Sequence, residues 1–191
     1  MKNIVILISG SGSNMEAIVR TAKNQGWAGK FGAQVAAVIS NKADAGGLAI
    51  ARSHGIATAS IDHKAFASRA AFDAELMRQI APYAPVLVVL AGFMRILTPD
   101  FVAHYEGRLL NIHPSLLPAF TGMNTHQRAI DAGCRVAGAT VHLVTAELDL
   151  GPILAQAVVP ILPDDTASDL ATRVQTQEHL IYPQAIAALL A

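Results

Sequence analysis

The sequence predicts an α/β fold of three layers, with a mostly parallel central sheet, an antiparallel strand pair near the carboxyl end and a closing helix. Three observations carry this. Extended apolar runs alternate with helical ones from residue 3 to residue 112. Those extended runs are rich in Val and Ile without polar alternation, the pattern of strands buried on both faces of a parallel sheet. After residue 134 the alternation stops, and two extended runs follow one another with only a short break.

The elements follow in order. Residues 3–8 read N-I-V-I-L-I and predict a buried first strand. Residues 13–24 place Met15, Ile18, Val19 and Ala22 on one helical side. Residues 34–39 form a second strand, 46–54 a helix and 56–60 a short third strand. Phe72, Leu76 and Ile80 recur every four residues and predict a helix over 68–81, punctuated by Pro82 and Pro85. Residues 85–91 are the most hydrophobic strand; a short helix begins near Pro99, and 108–112 is a further strand. The extended runs 135–145 and 152–161 are separated by E-L-D-L-G. Residues 166–191 form the closing helix, with Thr166 and Asp169 as a capping box. Pro183 is expected to kink or interrupt it.

Composition narrows the function classes. Of 191 residues, 52% are hydrophobic and 15% charged, which predicts a large core and argues against disorder. That length fits one domain, 1–191. Lys and Arg number 14, as do Asp and Glu, so the basic excess of a general nucleic-acid binder is missing. The single cysteine, Cys134, cannot form an internal disulfide and suits a reducing compartment. Residues 1–8 are too short for a membrane span and lack the features of a secretory leader, so the expected location is the cytoplasm, with no membrane partner.

Three motifs carry candidate chemistry. The first is I-S-G-S-G-S-N, residues 8–14, between a strand and a helix. Its glycines permit tight turns, and the helix start offers unpaired N–H groups that favour a phosphate. It lacks the Gly-Lys-Ser/Thr of the nucleotide P-loop and the third glycine of the dinucleotide fingerprint. A phosphate cradle and an ordinary glycine turn are equally open here. They differ in what Gly12→Val does: the first loses phosphate affinity alone, the second loses the fold. The second motif is N-I-H-P-S-L-L-P, residues 111–118, where alternation turns Asn111 and His113 to the same face. An amide beside an imidazole can polarise a carbonyl and move a proton. The third is E-L-D-L-G-P, residues 147–152, whose Asp149 could orient His113 and favour its charged form. His142, on the strand before it, is a core histidine, a supporting group or a ligand contact. Ala91 to Leu97 could wall a flat heterocycle, and Glu178, in Q-T-Q-E-H, could bind a sugar diol. The seven histidines are scattered without helical metal spacing, so no metal is expected.

Together these motifs resemble the glycinamide ribonucleotide formyltransferases, a folate-dependent family of purine synthesis. The resemblance runs from the glycine loop through A-G-F-M-R-I-L, N-I-H-P-S-L-L-P and E-L-D-L-G-P to Q-T-Q-E-H, almost the whole chain. It implies a Rossmann-like fold whose first half binds the nucleotide phosphate and whose second half binds folate and carries catalysis. It implies that Gly12, Ser13 and Asn14 hold the substrate phosphate and that Glu178 binds the ribose. Asn111, His113 and Asp149 become the catalytic trio. Arg69, Leu90, Phe93, Met94, Arg95, Ile96, Leu97, Val102, Leu109, Val144 and Glu147 become the folate side. The implied ligands are 10-formyltetrahydrofolate as co-substrate and phosphoribosylglycinamide as acceptor, bound by a monomer or weak homodimer. The implied reaction is direct amine attack on the formyl carbon, with Asn111 and protonated His113 stabilising the oxyanion. The chain departs from the family at Thr121 and Asn124, where Pro and His are usual, and at Ala146, where Asp is usual. Alternatives are another folate formyl enzyme, such as a formyltetrahydrofolate hydrolase or a methionyl-tRNA formyltransferase, and a non-catalytic phosphate-binding module.

Overall fold

Strand β1 (Lys2–Ile8) buries its last five residues completely, so the sheet needs a cover on each face. The computed structural model describes residues 1–191. After β1 come α1 (Ser13–Asn24), α2 (Trp27–Phe31), β2 (Ala33–Ser40), α3 (Gly46–Ser53), β3 (Ala57–Ser60), α4 (Arg69–Ile80), β4 (Leu87–Leu90) and α5 (Pro99–His104). Then follow β5 (Leu109–His113), α6 (Thr125–Asp131), β6 (Val136–Leu143), β7 (Ile153–Pro160) and α7 (Ala167–Leu190).

The seven strands form one sheet in the order β3-β2-β1-β4-β5-β6-β7. Pairing is parallel from β3 to β5 and antiparallel at β5–β6 and β6–β7. This is the α/β, Rossmann-like architecture the sequence predicts. Alternate residues of β1 enter opposite cores. Ile4, Ile6 and Ile8 join a cluster with Met15, Ile18, Val174 and Ile186, under α1 and α7. Val5 and Leu7 join Phe72, Leu76, Ile80 and Phe101, under α4 and α5. Strand order reverses at β1, between β2 and β4, and the crevice at such a point is where α/β sheets place ligands. The two loops there are tied together: Ser9 N–H donates to the Gly92 carbonyl at 3.1 Å, and Met94 N–H to Ser9 Oγ at 2.7 Å.

The structure corrects the sequence in three places. Two helices, α2 and α6, were not anticipated. The former has five residues and is bounded by Gly26 and Gly32, both at positive φ; it exists to bury Trp27, which is fully inaccessible. The strand expected over 85–91 is shorter, β4 (Leu87–Leu90). Of the two outcomes expected at Pro183, a kink or an interruption, the second does not occur: α7 is continuous through it. Its missing N–H removes one helical bond, but Tyr182, Ala185, Ile186 and Leu190 are buried around it and hold the helix down. Tyr182 Oη also donates to the carbonyls of Leu90 at 2.9 Å and Leu110 at 3.2 Å. The capping box is present: Thr166 Oγ1 accepts from Asp169 N–H, and Asp169 Oδ2 accepts from Thr166 N–H.

Candidate active site

Two half-sites flank the end of β5. The first is built on the glycine loop. Gly12 caps α1 at φ 79° with no side-chain bond, so the first N–H groups of the helix have no cap to serve them. A Cβ on Gly12 would stand 2.7 Å from Gly47 Cα, and Gly47 N–H donates to the Gly10 carbonyl at 3.1 Å. Gly12 is thus demanded by backbone conformation and by contact with α3 as well as by any ligand. Asn14 is buried; its Nδ2 donates to Glu178 Oε2 at 2.7 Å, while its Oδ1 is buried without a partner. Burial pushes the Glu178 carboxyl above its ordinary range, and the Asn14 bond opposes this only in part. Gln175 Nε2 donates to Ser13 Oγ at 3.0 Å, a second tie between α7 and the loop. A cleft of about 490 Å³ opens here, lined by Gly10 to Asn14, Lys42, Gly92, Met94, His126 and Glu178 among others. Lys42 is the only Lys or Arg on its wall.

The catalytic candidates lie beside it. His113 ends β5, buried, with Nδ1 3.4 Å from Asp149 Oδ2 and Nε2 2.9 Å from the Phe120 carbonyl. Both ring nitrogens therefore face oxygen acceptors. Asp149 sits at φ 57° in the loop after β6, and its Oδ2 also accepts from Gly122 N–H at 2.9 Å. That bond comes from backbone, so Thr121 in place of the family's Pro does not remove it. Asn124 caps α6 at φ 56°, a conformation Asn tolerates well. Asn111 stands opposite His142 in the β5–β6 register, with Nδ2 3.2 Å from His142 Nε2. His142 Nε2 is 3.9 Å from Asp149 Oδ1, so the four side chains form one chain of contacts. The trio does not itself line the 490 Å³ cleft; its neighbours Ile112 and Pro114 do.

The residues proposed for the folate side are mostly apolar core. Leu90, Phe93, Val102 and Leu109 belong to the α4–α5 core, and Leu97 and Val144 pack against it. Asn111 and His113 share the parity of Leu109 and continue that face towards the end of β5. Arg95 Nε is buried without a partner. Met94 and Ile96 are largely exposed, as are Arg69 at the start of α4 and Glu147, and no hydrogen bond or ion pair joins their side chains to the trio. Sequence reasoning did not single out Lys42, the Phe120 carbonyl or Gly122 N–H. A lysine in S-N-K shows no periodicity, and backbone groups carry no side-chain signal.

Comparison with known proteins adds the following. Residues 2–186 match the formyl transferase family. The phosphoribosylglycinamide formyltransferase of Escherichia coli (strain K12) is 55% identical over 184 residues, covering 96% of this chain and 85% of its own. The crystal structure of glycinamide ribonucleotide transformylase 1 from Symbiobacterium toebii superposes with TM-score 0.94 at 46% identity, covering 100% of this chain and 88% of that one. That of the phosphoribosylglycinamide formyltransferase from Brucella melitensis gives 0.92 at 53% identity, covering 100% and 96%.

Proposed function

The chain belongs to the formyl transferase family, and from that premise we propose that it moves the formyl group of 10-formyltetrahydrofolate to the glycine amine of 5'-phosphoribosylglycinamide, in purine biosynthesis. The observation that supports the proposal is the chain of contacts His113–Asp149–His142–Asn111 at the end of β5, next to a polar cleft of a size and character that suit a phosphorylated sugar. Gly12 to Asn14 and Lys42 would receive the phosphate, and Glu178 the ribose hydroxyls. Leu90, Phe93, Leu97, Val102, Leu109 and Val144 would hold the pterin, with Arg95 at its edge. The folate supplies the formyl carbon. Asn111 then has an amide N–H for the oxygen that gains charge as the amine attacks, and His113 gives that charge a cationic neighbour. His113 has no free N–H in this arrangement, so serving that oxygen through Nε2 means exchanging the Phe120 carbonyl for it. Asp149 holds the ring through Nδ1 and would pass the proton lost by the attacking amine, through water, to the folate nitrogen as that nitrogen's bond to the formyl carbon breaks. The protein would act as a monomer or weak homodimer in the cytoplasm; no helix is long and apolar enough to cross a membrane.

The test is an omission assay. Purified protein with both ligands should give formylated ribonucleotide, and leaving out either should give none. Release of formate with folate alone, or formylation of methionyl-tRNA, would overturn the reading in favour of the other folate enzymes.

Two binding predictions follow from the cleft. Glu178→Gln should raise KM for the ribonucleotide about tenfold or more, the scale of one hydrogen bond to a charged group. Its effect on stability runs the other way. The native carboxyl holds its proton to higher pH than the unfolded one, so its ionisation destabilises the fold as pH rises from the ordinary Glu range through the raised native value. Neutral Gln removes that loss, so melting above this window should move up relative to the parent; an unchanged pH dependence would refute it. Lys42 is exposed and its side chain makes no bond within the protein. Lys42→Met should leave the melting temperature alone and raise ribonucleotide KM about fivefold at low salt, with the effect fading as salt screens it. An unaltered KM at low salt would take Lys42 out of the phosphate site.

A further inference from the structure

We propose that His142 is a positioning residue for the transfer reaction: as the neutral ring protonated on Nδ1, it holds the Asn111 amide by one N–H and leaves the other for the reacting oxygen. The inference rests on the formyl-transfer reading above. His142 Nδ1 lies 2.9 Å from the carbonyl of Leu143, which can only accept, so Nδ1 carries the proton. The ring is 2% exposed, and burial lowers its affinity for a second proton; His113 acts in the same direction, while the Leu143 bond and Asp149 oppose it. A neutral ring with its proton on Nδ1 presents a lone pair at Nε2. Asn111 Nδ2 faces that lone pair at 3.2 Å and donates to it. Asn111 makes no other side-chain hydrogen bond, so this contact alone sets its amide. Turning the amide over would set its carbonyl oxygen against the lone pair.

The backbone behind the ring is fixed as well. Leu143 N–H donates to the Pro152 carbonyl at 2.9 Å. A Cβ on Gly151 would fall 1.7 Å from the Leu143 carbonyl oxygen. The glycine of E-L-D-L-G-P is therefore the residue that lets this carbonyl stand where it selects the His142 tautomer. One motif thus supplies Asp149 to His113 and, through Leu143 and His142, an orientation to Asn111.

The proposal is tested with His142→Met and His142→Gln in the full chain, measuring kcat, both KM values and melting curves, and with ¹⁵N NMR of the wild-type imidazole. The Met variant cannot accept the Asn111 N–H through an oxygen or ring nitrogen. It should lose about 10- to 100-fold in kcat, the scale of a misplaced reacting group, with both KM values unchanged. Gln, whose amide oxygen reaches the place of Nε2, should restore most of that rate. The imidazole should show a proton on Nδ1 and none on Nε2. Wild-type kcat in the Met variant, equal losses in Met and Gln, or a proton on Nε2 would each overturn it. Should the Met variant not fold, the Gln rate and the wild-type tautomer decide. Absence of formyl transfer by the wild type would instead overturn the functional reading, and the tautomer measurement would still stand or fall by itself.

Discussion

His113→Ala lowers kcat about a hundredfold or more while both KM values hold; this is the expected result of steady-state assays. The ring is buried at the end of β5 and touches Asp149 on one side and the Phe120 carbonyl on the other. Little of it faces the 490 Å³ cleft, so ground-state binding has little to lose. Asp149→Asn should fall by a similar order. Asn can keep one oxygen for Gly122 N–H, but it removes the negative charge that His113 Nδ1 faces at 3.4 Å. The two changes act on one contact, so the double variant should cost much less than the product of the single losses. Near-normal turnover in either single variant would remove the assigned role. Multiplicative losses would separate the two residues.

The second large effect is on the fold. Gly12→Val puts a β-branched residue at φ 79° and drives its Cβ into Gly47 Cα at 2.7 Å. Left-handed strain and overpacking together cost about 3 kcal/mol or more. In a chain of this size that lowers the melting temperature by about 10 °C. Affinity for both ligands should then fall together as α1 and α3 lose their contact. A variant that melts like the parent and loses only ribonucleotide affinity would refute this. For this residue the structure supports a role in the fold, whatever else Gly12 serves. Lys42, which bonds to nothing in the protein through its side chain, is the cleaner probe of the phosphate.

The sheet, its parallel and antiparallel parts and the capped last helix were legible because each has a periodic or punctuated signal. Val and Ile runs without alternation mark β1 and β2, and Thr166 with Asp169 marks the start of α7. The helices α2 and α6 were not legible. Each has at most seven residues, too few for a stripe, and each begins after a residue at positive φ with no side-chain cap. Pro183 does not end the helix because burial on both sides of it holds the helix down. Within the candidate site, Asn111 and His113 could be paired from strand alternation alone. Asp149 could be suggested for His113 from its motif but not placed, and the bond between Asn14 and Glu178 was not anticipated, since contacts across 36 and 164 residues leave no local trace. Lys42 and the backbone groups of Phe120 and Gly122 needed coordinates.

The bond between Asn14 and Glu178 has a bearing on how the protein is made. The two residues stand 164 positions apart, so the glycine loop leaves a ribosome well before Glu178 does. Until α7 emerges and docks, Asn14 lacks its Glu178 partner and the nascent chain presents only half of the proposed ribonucleotide site. A ligand that spans the two halves favours the docked form by mass action. Saturating ribonucleotide should therefore slow deuterium uptake in the first turn of α1 and the middle of α7 in concert, two segments far apart in synthesis that ligand binding closes as one unit.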